Sequence, residues 1–301
     1  MTISPGPYGE LDLTGRACVV TGAAQGIGAA EARALARLGA AVLCADQADA
    51  GPVVDEIRDA GGTALSWRGD ITEPGAADDL VAAAEGFGVP VSVLVNNAGI
   101  VRDRMVFNLD DADWDAVLAV NLTAPFRLCR ALARHWRAHP AGAGRRIINT
   151  SSESGLYGNA GQSNYAAAKA GLAALTLSLS AELSRYGVCV NAIAPRARTP
   201  MSEAAFGTLP GGAGALPPER VAALVCWLAG PAGEDVTGQV FVVAGDTVQR
   251  MRPWSPVRTA RQPDDWSPET SARFRADLFG GDATRHEPAP ISALFTGQTG
   301  G

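Results

Sequence analysis

Lysine is almost missing from this sequence. Lys and Arg together number 25, and Lys169 is the only lysine among them. Cysteine is sparse: Cys18, Cys44, Cys129, Cys189 and Cys226 are odd in number, scattered, and never in C-x-x-C spacing. That pattern excludes a disulfide or zinc framework and suits small core residues in a reducing cytoplasm. The three histidines, His135, His139 and His286, have no metal-ligand company, so no metal is expected. Positive charge is not in surplus. A net charge of −6 excludes the basic footprint of a nucleic-acid binder and gives little attraction to an anionic membrane. No stretch reads as a membrane span, and the first residues lack a basic segment followed by an apolar one. A cytoplasmic protein acting on a small molecule is the expectation, with neither nucleic acid nor membrane as partner.

What is present fits a globular enzyme. The 301 residues are 47% hydrophobic and 19% charged, enough for one large α/β domain. Residues 1–10, with two prolines and two glycines, read as a loose arm. A domain follows over 11–245, and residues 246–301 form a C-terminal extension with Trp254, Trp266 and a helix-like run from Pro268 to Leu278. Within the domain, apolar strand-like runs alternate with helical ones. The strands fall at Ala17–Val20, Ala41–Ala45, Thr63–Arg68, Val91–Val95, Arg146–Asn149, Val188–Ile193 and Val240–Val243. Helices fall at about Gly28–Leu38, Val53–Ala60, Ala76–Phe87, Trp114–Arg137 and Asn164–Tyr186. Such alternation predicts a doubly wound parallel sheet with helices on both faces, whose ligands bind at the carboxyl ends of the strands.

The polar signatures cluster there. Gly22, Gln25, Gly26, Ile27 and Gly28 follow the first strand and open a helix, the arrangement that offers backbone N–H groups and a helix N-terminus to a phosphate. Asp46 ends the second strand eighteen residues after Gly28. A carboxylate there accepts hydrogen bonds from ribose hydroxyls and repels a 2′-phosphate. No Arg follows it, and Gln25 stands where an Arg could meet that phosphate, so NAD is favoured over NADP. Asp70, Ile71, Asn97, Ala98 and Gly99 follow the third and fourth strands.

Tyr165 and Lys169 are an i,i+4 pair, so on a helix both leave the same face one turn apart. Lys is a compact ammonium whose proton can be moved, whereas Arg stays protonated. The only lysine, four residues after a Tyr, is therefore read as stabilising the phenolate and lowering its pKa from about 10, which makes Tyr165 a general acid/base. Ser152, thirteen residues upstream and just after a strand, could hold the substrate oxygen.

Taken together, Thr21-Gly22-x-x-x-Gly26-Ile27-Gly28, Asp70, Asn96-Asn97-Ala98-Gly99, Asn121, Ser152, Tyr165-x-x-x-Lys169 and Asn191-Ala-Ile-Ala-Pro195 resemble the short-chain dehydrogenase/reductase family. They do so in family order and spacing over roughly Leu13 to Ala244. The resemblance implies a Rossmann domain with a seven-stranded parallel sheet and hydride transfer between a nicotinamide and a secondary alcohol or ketone. It implies Tyr165 as acid/base, Ser152 as the residue positioning the substrate oxygen, and Lys169 as the residue lowering the Tyr pKa and holding the nicotinamide ribose. Asn121 would hold a relay water. Asp46 and Asp70 would bind the adenosine end, Asn97 to Gly99 would line the cofactor, Pro195 would lie beside it, and Thr199 would contact the carboxamide. Homodimers or homotetramers built on the two long helices are expected on the same ground.

In this family the pocket is lined by residues after Ser152 and after Pro195. Here these are Glu153, Tyr157, Asn159, Gln162, Met201, Phe206 and Leu209, which suit a mainly apolar substrate. The glycine-rich segment Ser202–Pro218 reads as a lid. Where the family usually has Gly after Pro195, this chain has Arg196, so Arg196 or Arg198 is read as reaching an acidic group on the substrate or the pyrophosphate. Two other readings stand beside an NAD-dependent alcohol dehydrogenase. One is an NADPH-dependent 3-oxoacyl or polyketide ketoreductase, against which Asp46 and Gln25 argue. The other is a non-catalytic nucleotide sensor, against which the intact Asn121, Ser152, Tyr165 and Lys169 argue.

Overall fold

The structure, a computed structural model, describes residues 11–140, 144–197, 216–252 and 254–282. The chain divides into two compact units, one ending at Met251 and one beginning at Arg252. The first unit is built on strands β1 (Ala17–Thr21), β2 (Ala41–Asp46), β3 (Thr63–Arg68), β4 (Val91–Asn96), β5 (Arg145–Thr150), β6 (Val188–Arg196), β7 (Val240–Ala244) and β8 (Thr247–Met251). They form one sheet in the order β3-β2-β1-β4-β5-β6-β7-β8. The first seven are parallel, and β8 pairs antiparallel with β7.

Seven parallel strands match the expectation, and the eighth corrects it. Gly245, at φ +52°, turns the chain directly back along β7. The sheet therefore continues past residue 245, where the sequence reading ends the domain. In β8 Thr247, Val248 and Arg250 are exposed, so the strand lacks the apolar run that marks a buried parallel strand.

Strand β1 shows why the helices lie where they do. Its residues alternate between faces. Cys18 and Val20 enter one core with Leu35 of helix α1 (Gly26–Arg37), Val53 and Ile57 of α2 (Gly51–Asp59) and Val225 of α8 (Pro218–Ala229). Ala17 and Val19 enter the other. There they meet Leu80 of α3 (Ala76–Glu85) and Leu128, Leu132 and Trp136 of α5 (Ala124–Ala138). Each fully buried Leu or Ile contributes about 1.5–3 kcal/mol relative to exposure. The central strands are hydrophobic on both faces because both faces are covered. All five cysteines are free and buried.

Helix α4 (Asp111–Leu118) runs through a π-helical turn (Ala119–Thr123) into α5. Together Asp111–Ala138 makes 28 helical residues, long and apolar enough by length and composition to cross a membrane. This departs from the expectation that no stretch approaches a span. Its apolar stripe is packed on the sheet through Leu128, Leu132 and Trp136, and the Trp136 indole donates to the Val91 carbonyl at 2.7 Å. Two further helices complete the unit: α6 (Glu153–Tyr157) and the long α7 (Ser163–Leu183). The second unit contains α9 (Pro268–Phe279), started by a Ser267/Thr270 capping box. In this unit the Trp266 and Phe274 rings meet edge to face with centroids 5.3 Å apart.

Strand order reverses between β1 and β4, which leave the sheet centre in opposite directions. That reversal opens a crevice at the carboxyl ends of the strands.

Candidate active site

A cavity of about 320 Å³ occupies this crevice. Its walls hold Gly22, Gln25, Gly26 and Ile27 from the turn after β1, and Asp46 from β2. Asp70 and Ile71 come from the loop after β3, and Asn97, Ala98 and Gly99 from the loop after β4. Ser152, Tyr165, Lys169 and Pro195 complete it from the other side. This is the clustering expected at the carboxyl ends of the strands: parallel register brings together the residues that end or follow strands, and α7 adds Tyr165 and Lys169.

The glycine turn is fitted closely. Gly22 and Gly26 have φ of +69° and +59°, conformations that favour glycine. A Cβ on Gly22 would stand 2.9 Å from Ala98 Cα, and one on Gly28 would stand 2.2 Å from the Gly22 carbonyl oxygen. Gly28 thus lies behind the cavity wall, where it lets α1 pack against the turn. Asn97 locks the turn from β4: its amide donates to the Thr21 carbonyl at 3.0 Å, and its backbone N–H donates to Thr21 Oγ1 at 3.1 Å.

At the end of β2, Asp46 accepts from the Ala24 and Ala48 backbone N–H groups, each at 2.9 Å. Among the described residues lining the cavity, Lys169 is the only Lys or Arg. Arg68 donates to the Gln47 carbonyl at 3.3 Å. Asp70 accepts from the Thr72 N–H at 2.8 Å and hydroxyl at 2.7 Å, which fixes the loop that carries it.

The chemical end is built on α7. Its helical spacing brings the Lys169 ammonium to 5.6 Å from the Tyr165 ring centroid. Lys169 is buried, and its Nζ donates to the Thr150 carbonyl at 2.7 Å. Ser152 caps the N-terminus of α6 and accepts from the Ser154 N–H at 3.2 Å, and it lines the same cavity as Tyr165. Glycine sets the closeness of α6 to α7: a Cβ on Gly155 would stand 2.6 Å from the Ala170 nitrogen.

Burial dominates both titrating groups. Desolvation pushes the Lys169 ammonium down to about 7. It also pushes the Tyr165 phenol above its ordinary value; the Ser152 hydroxyl works against this and the Asp103 charge adds to it. In the free protein burial, rather than Lys169, sets the direction of the Tyr165 shift. The reason is physical: an ammonium in a dry site is itself poorly retained, and its hydrogen bond goes to a backbone carbonyl.

Asn121 sits on the π-helical turn, buried. Its amide donates to the Ile100 and Val117 carbonyls, both at 2.9 Å, and its Oδ1 has no protein partner among the described residues. Gly99 lies between Asn121 and Lys169; a Cβ there would stand 2.7 Å from Asn121 Oδ1 and 3.5 Å from Lys169 Nζ. Thr150 Oγ1, on the cavity wall, is also buried without a partner. A glycine cradle, a carboxylate in a wall without Arg among its described residues, and two orphan oxygens around an ammonium fit a nicotinamide dinucleotide.

Glu153, Tyr157 and Asn159 do not line this cavity. Glu153 forms a two-pronged ion pair with Arg196. Tyr157 donates to Met251 Sδ at 3.7 Å, and Asn159 donates to Gln162 Oε1 at 3.0 Å. Arg198, Thr199, Met201, Phe206, Leu209 and most of the expected lid lie outside the described residues. Thr150, Ser151 and Val120 line the cavity without having been singled out. Thr150 and Ser151 immediately precede Ser152 and Val120 precedes Asn121, and those positions were the signal available.

The fold and site define a dinucleotide-dependent oxidoreductase. Residues 16–208 match the short chain dehydrogenase family. The hydroxyacyl-CoA dehydrogenase ChsB1 of Mycobacterium tuberculosis is 48% identical over 295 residues, covering 92% of this chain and 93% of that protein. A 3-oxoacyl-[acyl-carrier-protein] reductase of Synechocystis is 37% identical over 254 residues, covering 78% and 98%. The crystal structure of a short chain dehydrogenase from Mycobacterium avium superposes with a TM-score of 0.82 at 41% identity, covering 94% of this chain and 99% of that one. Other solved neighbours carry bound NADP. The chain belongs to the short-chain dehydrogenase/reductase family and is an NAD(P)-dependent oxidoreductase.

Proposed function

We propose that the protein is an NAD-dependent dehydrogenase that interconverts 3-hydroxyacyl and 3-oxoacyl thioesters, with the acyl group carried on coenzyme A. The observation that carries the reaction type is the convergence of Ser152, Tyr165 and Lys169 in one cavity with a dinucleotide cradle. The substrate class rests on the similarity to a protein named a hydroxyacyl-CoA dehydrogenase, which extends over nearly the whole of both chains.

A nicotinamide, when bound, supplies the acceptor for the hydride on the carbinol carbon. Tyr165 Oη takes the hydroxyl proton as the carbonyl forms, and returns it in the reverse direction. Ser152 Oγ hydrogen-bonds the same substrate oxygen and fixes it within reach of Tyr165. Lys169 binds the ribose side and stabilises negative charge on the phenolate. Asn121 Oδ1 and Lys169 Nζ, facing each other across Gly99, hold a water that exchanges the proton with solvent. These roles assemble in a homodimer or homotetramer in the cytoplasm, the setting proposed from the family resemblance and the cysteine pattern.

Preference for NAD rests on Asp46, with no Arg among the described residues lining the cavity. Titrating the purified protein with NADH and NADPH in parallel, for wild type and Asp46→Ala, tests it. NADH preference that weakens in the variant supports the reading. NADPH preference in the wild type overturns it and favours the 3-oxoacyl reductase direction.

A further inference from the structure

We propose that Arg196 and Glu153 act as a pair of positioning residues that set the catalytic hydroxyl of Ser152. On one side of Ser152 the chain is fixed, since the Ser151 N–H donates to the Ile193 carbonyl at 2.6 Å and its hydroxyl to the Lys169 carbonyl at 2.9 Å; the other side is α6. Ser152 is the cap of α6, a helix of five residues, Glu153–Tyr157, none of them buried. One helical turn does not sustain itself in water, and α6 has no apolar stripe to bury. Contacts to neighbouring elements hold it: Gly155 packs on the backbone of α7, Ser154 Oγ donates to Gln162 Oε1 at 2.7 Å, Tyr157 donates to Met251 Sδ at 3.7 Å, and Glu153 pairs with Arg196.

The Tyr157 tie reaches the edge strand β8 from the far end of α6, whereas the Glu153 tie is made by the α6 residue next to Ser152 and reaches the end of β6. Arg196 is the last residue of β6. Its neighbours Pro195 and Ala197 line the cofactor cavity, whereas its own side chain turns away to Glu153. Nε and Nη2 donate to the two carboxylate oxygens, the second at 2.6 Å. The side chains are 5% and 16% exposed. Burying two charges costs desolvation that their attraction does not surely repay, so such a pair is weak evidence for stability. A bidentate guanidinium–carboxylate fork is, however, the most directional ion pair available to a protein. Placed here it fixes the 152–153 peptide relative to the strand end beside the nicotinamide. It occupies the guanidinium that the sequence reading assigns to an acidic substrate group or to the pyrophosphate.

The test exploits the path of influence. The groups acting on Tyr165 are Ser152, Asp103 from the loop after β4, and Lys169 one turn along α7; Glu153 and Arg196 act on Tyr157 instead. A change at Tyr165 on losing the ion pair that matches Ser152→Ala, and that does not add to it in the double variant, is the mark of an effect passed through Ser152. Wild type, Ser152→Ala, Glu153→Ala, Arg196→Ala, the double variant Ser152→Ala/Glu153→Ala and the swap Glu153→Arg/Arg196→Glu are compared by two readouts. One is kcat and KM with NAD and 3-hydroxybutyryl-CoA. The other is the ultraviolet titration of Tyr165, taken as a difference from Tyr165→Phe, which needs no substrate and stands even if the thioester reading fails.

The expected results are a fall in kcat of about 10- to 100-fold for Glu153→Ala, the scale of a small misplacement of a reacting group, and a Tyr165 titration moved upward as in Ser152→Ala. The double variant is expected to be no worse than Ser152→Ala alone, because residues acting as one unit are not additive. The swap is expected to recover part of kcat. Losses that add in the double variant, or a Glu153→Ala protein with unchanged kcat and Tyr165 titration, overturn the proposal. If Glu153→Ala does not fold, Glu153→Gln, which keeps the shape and removes the charge, is read by the same criteria.

Discussion

Lys169 holds its ammonium 5.6 Å from the Tyr165 ring centre but gives its short hydrogen bond, 2.7 Å, to the Thr150 carbonyl. The pair is thus tied to the end of β5 rather than to each other, and burial governs how both titrate. The Tyr165 phenol lies above its ordinary value. Alcohol oxidation needs the phenolate and ketone reduction needs the phenol. In the free enzyme kcat/KM for oxidation is therefore expected to rise with pH through the alkaline range, and kcat/KM for reduction to fall over the same range. A pH profile measured in both directions checks this; an oxidation rate highest below neutral pH contradicts it.

Replacing Lys169 by Ala removes the only Lys or Arg among the described residues of the cavity and, on the proposed mechanism, the proton path through Asn121. A loss of about 10²–10⁴ in kcat is expected, the range for a group that supports acid–base catalysis. Steady-state kinetics and NADH titration separate its two tasks: the ribose contact appears as weaker NADH binding, the proton role as lower kcat.

Asn121→Asp is expected to lower kcat, and Asn121→Ala to lower kcat and also the melting temperature, because the amide's bonds to the Ile100 and Val117 carbonyls are lost. Its Oδ1 has no hydrogen-bond partner among the described residues, and a π-helical turn placing one side chain is characteristic of functional positions. Thermal melting and kcat are the paired measurements. An unchanged kcat at saturating substrate would remove Asn121 from the relay.

Gly28→Ala is expected to abolish dinucleotide binding. A Cβ there would lie 2.2 Å from the Gly22 carbonyl, so the glycine turn has to move off the helix N-terminus. NADH fluorescence titration of the folded variant, confirmed by circular dichroism, reports it.

Glu31 carries a prediction about stability alone. It is 0% exposed on α1, and neither carboxylate oxygen has a partner among the described residues. Burial pushes its carboxyl from an ordinary 4.5 up to about 8. The folded state holds this proton over a window where the unfolded state has lost it. Stability from this group is full below about pH 4.5 and is lost as pH rises towards and through about 8. Glu31→Gln is expected to raise the melting temperature more at about pH 9 than at about pH 5. An equal shift at both would show that Glu31 is not the titrating group.

Much of this was readable in the sequence, and the gaps have reasons. Most of the seven parallel strands were legible as short apolar runs followed by a glycine or polar signature, as at Val91–Asn96; β3, with only Ala64 buried, was legible from its place in the alternation and the Gly69-Asp70 after it. Strand β8 was not, since Thr247, Val248 and Arg250 face solvent and carry no buried pattern. Helix α8 (Pro218–Ala229) escaped notice beside the glycine-rich segment before it, although Pro218 and Glu219 begin it as helix-start residues do. At the site, residues with their own motif were found: Ser152, Tyr165, Lys169, Asp46. The Arg196–Glu153 pair was missed because its members are 43 residues apart and only the register of β6 beside β5 brings them together. Spacing also could not reveal that Lys169 is dehydrated, since burial belongs to the tertiary structure.

The most direct measurement is the initial rate of NADH formation from NAD and 3-hydroxybutyryl-CoA by wild type and by Tyr165→Phe. Turnover by the wild type, reduced by about 10²–10⁴ in a folded variant that still binds NADH, is the predicted result. Turnover that survives loss of the Tyr165 hydroxyl would contradict Tyr165 as the acid/base. A wild type that binds NADH but leaves the thioester unreacted would contradict the substrate class.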